Sequence, residues 1–502
     1  MRQGRRLETL VAALVLAVGT TASIEADNPL VEAVKSVDRA AVRSMLQTRP
    51  DVNIAESDGS TALYWAAERN DVEIAQLLIG AGANVAARTR YGATPLTMAS
   101  LNGNAALIET LLKAGADANT ATTDGETVLM IAARTGVAAA VKSLLAHGAN
   151  PNSVENHRGQ SALMYAASEG HTETVQALID GGADAKARSG QGWTALLFAA
   201  RDGRMDVARV LLDAGASAND SLERPARPAR GAGRGGGTSE PTRGASALSL
   251  AVGSNHYELA AYLLERGADP NAANEGWTVL HQLTWMRKPS QVAGAAPPGS
   301  GAMDSLELIR RLVAHGADVN ARMTRRGQVG TDLNMIGATP LLMAARGADA
   351  PMMRLLATLG ADPTLVNEDD TTVLMAAAGV GTHAPTEDAG TEIEGLEAVK
   401  VAIEVLRSDI NAVNKDGDTA MHGAAYKQFP SVVRYLAEQG ADPGVWNRKN
   451  KLGWTPLRIA VGVYRGMHLR GSVPTTEAFR EVLTAKGLST EVDDEAILAK
   501  PY

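Results

Sequence analysis

Two apolar rhythms alternate along the chain, and the stretch from Asp58 to Asn84 shows both. Leu63, Ala66 and Ala67 fall at helical spacing and make a narrow apolar face. Asn70 and Asp71 interrupt it, and Val72, Ile74, Ala75, Leu77, Leu78 and Ile79 make a second, bulkier face. Thr61 stands where its hydroxyl accepts a hydrogen bond from a free N–H at the start of the first helix. Gly80 and Gly82 are placed to end the second helix, because glycine takes the left-handed conformation that closes one. The pattern predicts a helix pair with a turn at each end. Such a pair is too small to bury its own apolar surface and needs copies of itself on either side.

The copies are present. The signature G-x-[TS]-x-[LM]-x-x-A starts at Gly59, Gly92, Gly125, Gly159, Gly192, Gly244, Gly337, Gly417 and Gly453, with degenerate versions at Gly276 and Asp370. The first five glycines are 33, 33, 34 and 33 residues apart. Units close on G-A-[DNS], as at Asp117, Asn150, Asp184, Ser217, Asp269, Asp318, Asp362 and Asp442. Thr94-Pro95-Leu96, Thr339-Pro340-Leu341 and Thr455-Pro456-Leu457 are followed by no histidine, whereas His281 and His422 occupy that next position in other units. In these features the chain resembles the ankyrin repeat family, whose unit of about 33 residues carries T-P-L-H-x-A. The resemblance covers roughly residues 28 to 487. It implies an all-α solenoid of helix-turn-helix units with hairpin fingers, about eleven repeats plus an N-terminal capping half-repeat. Most units carry Tyr, Met, Leu or Thr at the histidine position, so the polar network around it is expected to be altered.

The regular spacing predicts an organisation in segments. Residues 1–26 read as a signal peptide and 27–219 as a cap followed by regular repeats. Residues 220–243 are a Gly/Pro/Arg-rich insertion, 244–487 are further repeats interrupted by loops at 287–303, 322–335 and 379–395, and 488–502 are a tail. The insertions lack apolar periodicity and are expected to be surface loops with little order. The acidic loop bearing Glu387, Asp388, Glu392 and Glu394 reads as a solvated one, and the basic loop with Arg224, Arg227, Arg230 and Arg234 as a spacer.

At the N-terminus Arg2, Arg5 and Arg6 precede the apolar run Leu10 to Val18 and the small residues Thr20-Thr21-Ala22-Ser23, the pattern of an export signal. The alternative is an uncleaved anchor, but a bilayer takes about 20 apolar residues to span. The chain has no cysteine, which excludes disulfides and thiol chemistry. An exported chain without disulfides fits a bacterial periplasm best, with extracellular release as the alternative and no membrane association after signal cleavage. A formal charge of −8 argues against a nucleic-acid binder.

No motif of a metalloprotease, a serine hydrolase or a phosphate-binding loop occurs. His147, His171, His256 and His315 sit near turns at helix ends, where a partial positive charge is favoured at a C-terminus. No enzyme activity, cofactor or metal is expected. In the family's layout the first helices and the fingers line a concave face, and this implies a protein partner, held there by a monomer. The position two after the motif Leu reads Trp65, Met98, Ile131, Tyr165, Phe198, Leu250 and Met343. Trp193, Trp277 and Trp454 follow a motif glycine, and Tyr91 precedes one. Either this stripe faces a ligand or it packs between neighbouring units. Exposure is expected for Trp65, Tyr165, Trp193 and Phe198, because large aromatics fill an Ala-rich seam poorly; packing is expected for Met98, Ile131 and Leu250. The competing functions are an assembly scaffold that uses the insertions, or a secreted effector acting on a host protein.

Overall fold

The computed structural model describes residues 28–223, 244–273, 276–289, 301–325, 333–382, 385, 388–465 and 467–492, the side chains of 464–470 excepted. The expected signal peptide and most of the 220–243 insertion lie outside the described residues, as do the middles of the other three insertions and the end of the tail. The chain divides into two compact units, Met1–Asn156 and His157–Tyr502. The boundary expected at 219 lies inside the second.

In the first unit the helices come in pairs: α1 (Pro29–Lys35) and α2 (Arg39–Gln47), α3 (Ala62–Glu68) and α4 (Val72–Gly80), α5 (Pro95–Leu101) and α6 (Ala105–Lys113), α7 (Val128–Thr135) and α8 (Ala138–Ala146). The expected capping half-repeat is thus a complete helix pair. Thr61 caps α3 through its hydroxyl, which accepts from the Tyr64 N–H at 3.3 Å. Gly82, at φ +90°, closes α4; Gly80 is its last helical residue. The first helices pack on one another in one column and the second helices in another. The first column is lined by fully buried small residues, Ala66, Ala67, Ala99, Ser100, Ala132 and Ala133, so the backbones can approach closely. Larger side chains such as Ile74, Leu78, Ile108 and Leu111 fill the space behind them. At the finger turn, Gly59 has φ +89°, and a Cβ there would lie 2.9 Å from the Arg88 carbonyl oxygen of the next finger.

The second unit repeats the scheme. Its pairs are α9 (Ala162–Glu169) and α10 (Thr172–Asp180), α11 (Ala195–Arg201) and α12 (Met205–Asp213), α13 (Ala247–Gly253) and α14 (Tyr257–Glu265), and α15 (Val279–Arg287) and α16 (Ser305–Ala314). They continue with α17 (Pro340–Arg346) and α18 (Ala350–Thr358), α19 (Val373–Ala378) and α20 (Glu392–Lys400), and α21 (Ala420–Lys427) and α22 (Pro430–Glu438). The chain runs on from α20 as a π-helical turn, Val401–Val405. A short α23 (Pro443–Trp446) lies in the following finger, and α24 (Pro456–Val461) and α25 (Val473–Ala485) make the last pair. Between these two stands an antiparallel hairpin, β1 (Gly462–Arg465) and β2 (Met467–Arg470), in register Gly462 to Arg470. This short hairpin is a local departure in an otherwise helical solenoid: Gly462 leaves the helical region at φ 126°, ψ 136°, and Val463-Tyr464 favours the extended form that follows.

A side-chain ladder ties repeat to repeat. Asn119 donates to the Gly148 carbonyl at 2.9 Å and accepts from the Asn150 N–H at 2.8 Å. Asn53 makes the same pair of bonds to Gly82 and Asn84, and in the second unit Asn219, Asn271 and Asn320 do so toward Gly267 and Asp269, Gly316 and Asp318, and Gly360 and Asp362. Asn119, Asn219, Asn271 and Asn320 each stand two residues past the last position of G-A-[DNS], and Asn53 stands two past Asp51 of Arg49-Pro50-Asp51. Each satisfies a carbonyl and an N–H that a helix end would otherwise leave open.

The insertion at 379–395 departs from the expected loop. Asp388 is buried and pairs with Arg346 at 3.6 Å, the Ala389 carbonyl accepts from Lys427 Nζ at 2.7 Å, Glu392 accepts from the Ser431 N–H at 2.8 Å, and Glu394 pairs with Lys288 at 2.5 Å. Asp388, Glu392 and Glu394 are therefore not a solvated cluster, because Arg346 on α17, the Ser431 N–H on α22 and Lys288 at the end of α15 meet them; Glu387 lies outside the described residues. Glu392 and Glu394 already belong to the first turn of α20.

Candidate protein-binding surface

In the first unit Trp65 lies on α3, half-buried. Its indole N–H donates to Glu56 at 2.5 Å, Lys35 Nζ stands 4.7 Å above its ring, and Tyr64 meets it edge-on at 5.8 Å. Burial by itself lowers the Lys35 pKa, but the Glu56 and Glu32 carboxylates at 2.6 and 3.0 Å outweigh it and raise it. Cation, indole and carboxylate thus hold Trp65 in one orientation with part of its surface free. Tyr91 is 55% exposed at a finger tip, with the Arg90 guanidinium 5.4 Å from its ring centre. Met98 is half-buried, and Ile131 is buried. Leu101, exposed at the end of α5, belongs with this surface; it falls five residues after the motif Leu, outside the stripe read from the sequence.

The second unit overturns part of the expected stripe. Trp193 and Phe198 are only 5% and 6% exposed. Their rings stack at 4.8 Å with 24° between planes, and Arg201 roofs both with its guanidinium 5.1 Å from each. Asp202 holds Arg201 in place through bonds of 2.8 and 2.7 Å. Contrary to the expectation of exposure, two large aromatics in one repeat fill the Ala-rich seam together. Leu250 and Met343 are also buried. Tyr165, Trp277 and Trp454 are half-buried. Trp277 meets Trp285 edge-to-face at 5.8 Å, a partner not picked out in the sequence because it lies on no repeated position. Beside Trp277 a shallow notch, with room for about a single water, is lined by Ser246, Ser249, Ala272, Thr278 and Gln282.

His281 and His422 are structural. The Thr278 N–H donates to His281 Nδ1 at 3.3 Å, and His281 Nε2 stands 3.1 Å from the Ala338 carbonyl oxygen. His422 repeats this with Thr419 at 3.2 Å and the Arg448 carbonyl at 3.2 Å. A carbonyl only accepts, so Nε2 carries the proton and both rings are neutral. Burial pushes both pKa values down to about 4, against the opposing pull of those backbone carbonyls. His147 and His315 sit at helix C-termini, each with Nδ1 close to a carbonyl of the last turn. His171 and His256 instead precede the first residues of α10 and α14, at helix N-termini. Among the described residues no cluster of His, Asp and Glu could hold a metal ion, and no helix is long and apolar enough to cross a membrane.

Stacked helix pairs with a shared seam and exposed fingers define a repeat protein. Sequence profiles of ankyrin repeats in three copies match residues 9–89, 30–122, 85–155, 129–221 and 391–466, and one of ankyrin repeats in many copies matches 247–292. The three-copy matches alone span more than half of the chain, and it belongs to the ankyrin repeat family. It is 35% identical over 184 residues to the mitochondrial disaggregase of Bos taurus, which covers 36% of this chain and 23% of that protein. It is 31% identical over 140 residues to alpha-latroinsectotoxin-Lt1a of Latrodectus tredecimguttatus, covering 28% of this chain and 8% of the toxin. The ankyrin repeat protein FPV230 of fowlpox virus is 26% identical over 216 residues, 43% of this chain and 91% of its own length. The chain thus spans less than a quarter of the first two. The crystal structure of the human ASB11 ankyrin repeat domain aligns with 26% identity and a TM-score of 0.40, over 48% of this chain and 99% of that domain. Ankyrin repeats are protein–protein interaction modules, typically without catalysis, and imply a protein partner.

Proposed function

We propose that this protein is a non-enzymatic binder that holds a protein partner on the first helices and fingers of its repeats, in the periplasm or outside the cell. One observation carries the reading. In the first unit the first helices and their fingers leave Trp65, Tyr91, Met98 and Leu101 wholly or partly uncovered beside fully buried Ala66, Ala67, Ala99 and Ala132. A group of large apolar side chains left open on a rigid scaffold is the anatomy of an interaction surface, and rigidity limits the entropy lost on binding. Tyr165, Trp277 and Trp454 are further contact residues on the second unit; Ile131, Trp193, Phe198, Leu250 and Met343 support the surface from beneath. The scaffold alternative gains nothing from Asp388, Ala389 and Glu394 of the 379–395 insertion, whose polar groups are taken up within the chain.

The test is a pull-down from periplasmic extract with the mature chain beside a Trp65→Ala/Tyr91→Ala/Leu101→Ser variant of matched helicity. A protein retained by the parent and lost from the variant supports the reading; equal retention by both ends it. Mass spectrometry of the exported protein checks localisation, since removal of residues 1–26 is expected and an intact N-terminus contradicts it.

A further inference from the structure

First helices of successive repeats contact neighbour to neighbour, as do second helices. In an array of that kind stability is a sum of single repeats and nearest-neighbour interfaces. Residues 388–394, between α19 and α20, add contacts of another sort. Lys288, at the end of α15, pairs with Glu394 at 2.5 Å, although the repeat of α17 and α18 stands between them in the stack. Arg346, the last residue of α17, pairs with Asp388 at 3.6 Å. Lys427, the last residue of α21, donates to the adjacent Ala389 carbonyl at 2.7 Å and is attracted by the Asp388 charge. Asp388 and Ala389 thus join the two repeats that flank their own.

Packing holds this segment against the helix ends. Asp388, Ala389 and Gly390 are buried. Gly390 lies so near the turn after α17 that a Cβ on it would stand 2.6 Å from the Ala348 Cβ. Gly423 lets α21 come equally close to the exit of α19, since a Cβ there would lie 2.8 Å from the Val380 nitrogen. Every residue of α19 and of α21 is buried, Lys427 included. Glu392 adds a bond from the Ser431 N–H of α22 at 2.8 Å. Opening any one of these repeats alone would strip a buried charge of its partner while leaving that charge enclosed, which is strongly unfavourable.

We infer that residues 388–394 are a strap that makes the four repeats from α15 to α22 open as one body instead of repeat by repeat. Loss of α21 and α22 takes Lys427 away from Asp388 and Ala389, and the loosened segment then no longer serves Arg346 on α17 or Lys288 at the end of α15. The disturbance therefore skips past the intervening repeat. The same bonds have a second consequence: three cations at first-helix ends are met within the chain and are not offered to an acidic partner.

Native-state hydrogen–deuterium exchange on the full chain tests this, with Leu436→Ala in α22 as the perturbation and α17, two repeats away, as the reporter. Leu436 is fully buried, and its truncation is expected to speed exchange in α21 and α22 by at least about thirtyfold. In the parent α17 is expected to speed up by the same factor. Lys427→Met/Glu394→Gln opens the strap but leaves Asp388 paired with Arg346, and glutamine keeps an acceptor for the Thr391 N–H that Glu394 now receives at 2.9 Å. In that background the effect of Leu436→Ala on α17 is expected to be at least about tenfold smaller, the scale of one hydrogen bond to a charged group. Each effect is taken relative to the same background without Leu436→Ala. Faster exchange confined to α21 and α22 in the parent overturns the strap, as does an equal effect on α17 in both backgrounds. Should Leu436→Ala fail to fold, Val433→Ala gives a smaller perturbation at another fully buried position of α22, read at α17 in the same two backgrounds and refuted by the same two outcomes.

Discussion

The neutral histidines His281 and His422 make stability depend on acid in a calculable way. Each ring accepts at Nδ1 from a threonine N–H and faces a carbonyl with Nε2. A second ring proton would confront the Thr278 or Thr419 N–H, donor against donor, in a site closed to water. The folded pKa values are about 4 against an ordinary 6.5. Between these limits the unfolded chain binds more protons than the folded one, so the stability present above pH 6.5 is lost as pH falls toward 4. At pH 5 the loss is about 2 kcal/mol per ring, or about 4 kcal/mol for the pair, and it reaches about 3.4 kcal/mol each below pH 4. The assay compares urea unfolding of the parent and a His281→Gln/His422→Gln variant at pH 7.5 and 5.0, above the range where ordinary carboxylates titrate. Glutamine keeps a donor and an acceptor without a titration. The variant is expected to lose about 4 kcal/mol less than the parent across that interval, whatever its absolute stability. Parallel losses within about 1 kcal/mol would refute the reasoning, as would an NMR titration of either ring near its ordinary value.

Phe198→Ala is expected to cost about 3–5 kcal/mol in thermal or urea unfolding, because it removes the ring stacked on Trp193 and beneath Arg201; a change within experimental error would mean the ring is not packed. Asn119→Ala takes away the bonds to Gly148 and Asn150 and is expected to cost about 1–3 kcal/mol, with faster amide exchange at Asn150 as the local check. Lys427 is buried, and burial holds its pKa down to about 8 despite the Asp388 charge, with Arg346 lowering it further. Below its ordinary 10.5 the unfolded chain holds the extra proton, so stability should rise with pH between 8 and 10.5. Relative to Lys427→Met, the parent is expected to gain about 2 kcal/mol between pH 8 and 10; curves that stay parallel would contradict a buried amine.

Where sequence reading succeeded, the signal was local and repeated. Thr61, Gly82 and the Leu and Ala positions recur in nearly every unit, and capping, closure and periodicity act over a few residues, so the helix pairs were legible. The Asn ladder was present in the letters too, at one offset from G-A-[DNS], but its bonds reach 29 residues away to Gly82 and Gly148. A motif reading stops at the unit's own end. The candidate surface was legible as a register and not as an exposure. Trp65 and Phe198 share that register, yet one is half-open and the other sealed.

The repeat, its length, its caps and its apolar seam were therefore determined by the sequence itself, because each rests on interactions within one unit or with an identical neighbour. Tertiary structure decided the rest. Burial of Trp193 and Phe198 followed from their stacking on each other under Arg201. The pairing of Asp388, Ala389 and Glu394 depended on Arg346, Lys427 and Lys288, drawn from two separate helices and the end of a third. Exposure and charge pairing belong to the groups that meet in space, and those groups lie far apart along the chain.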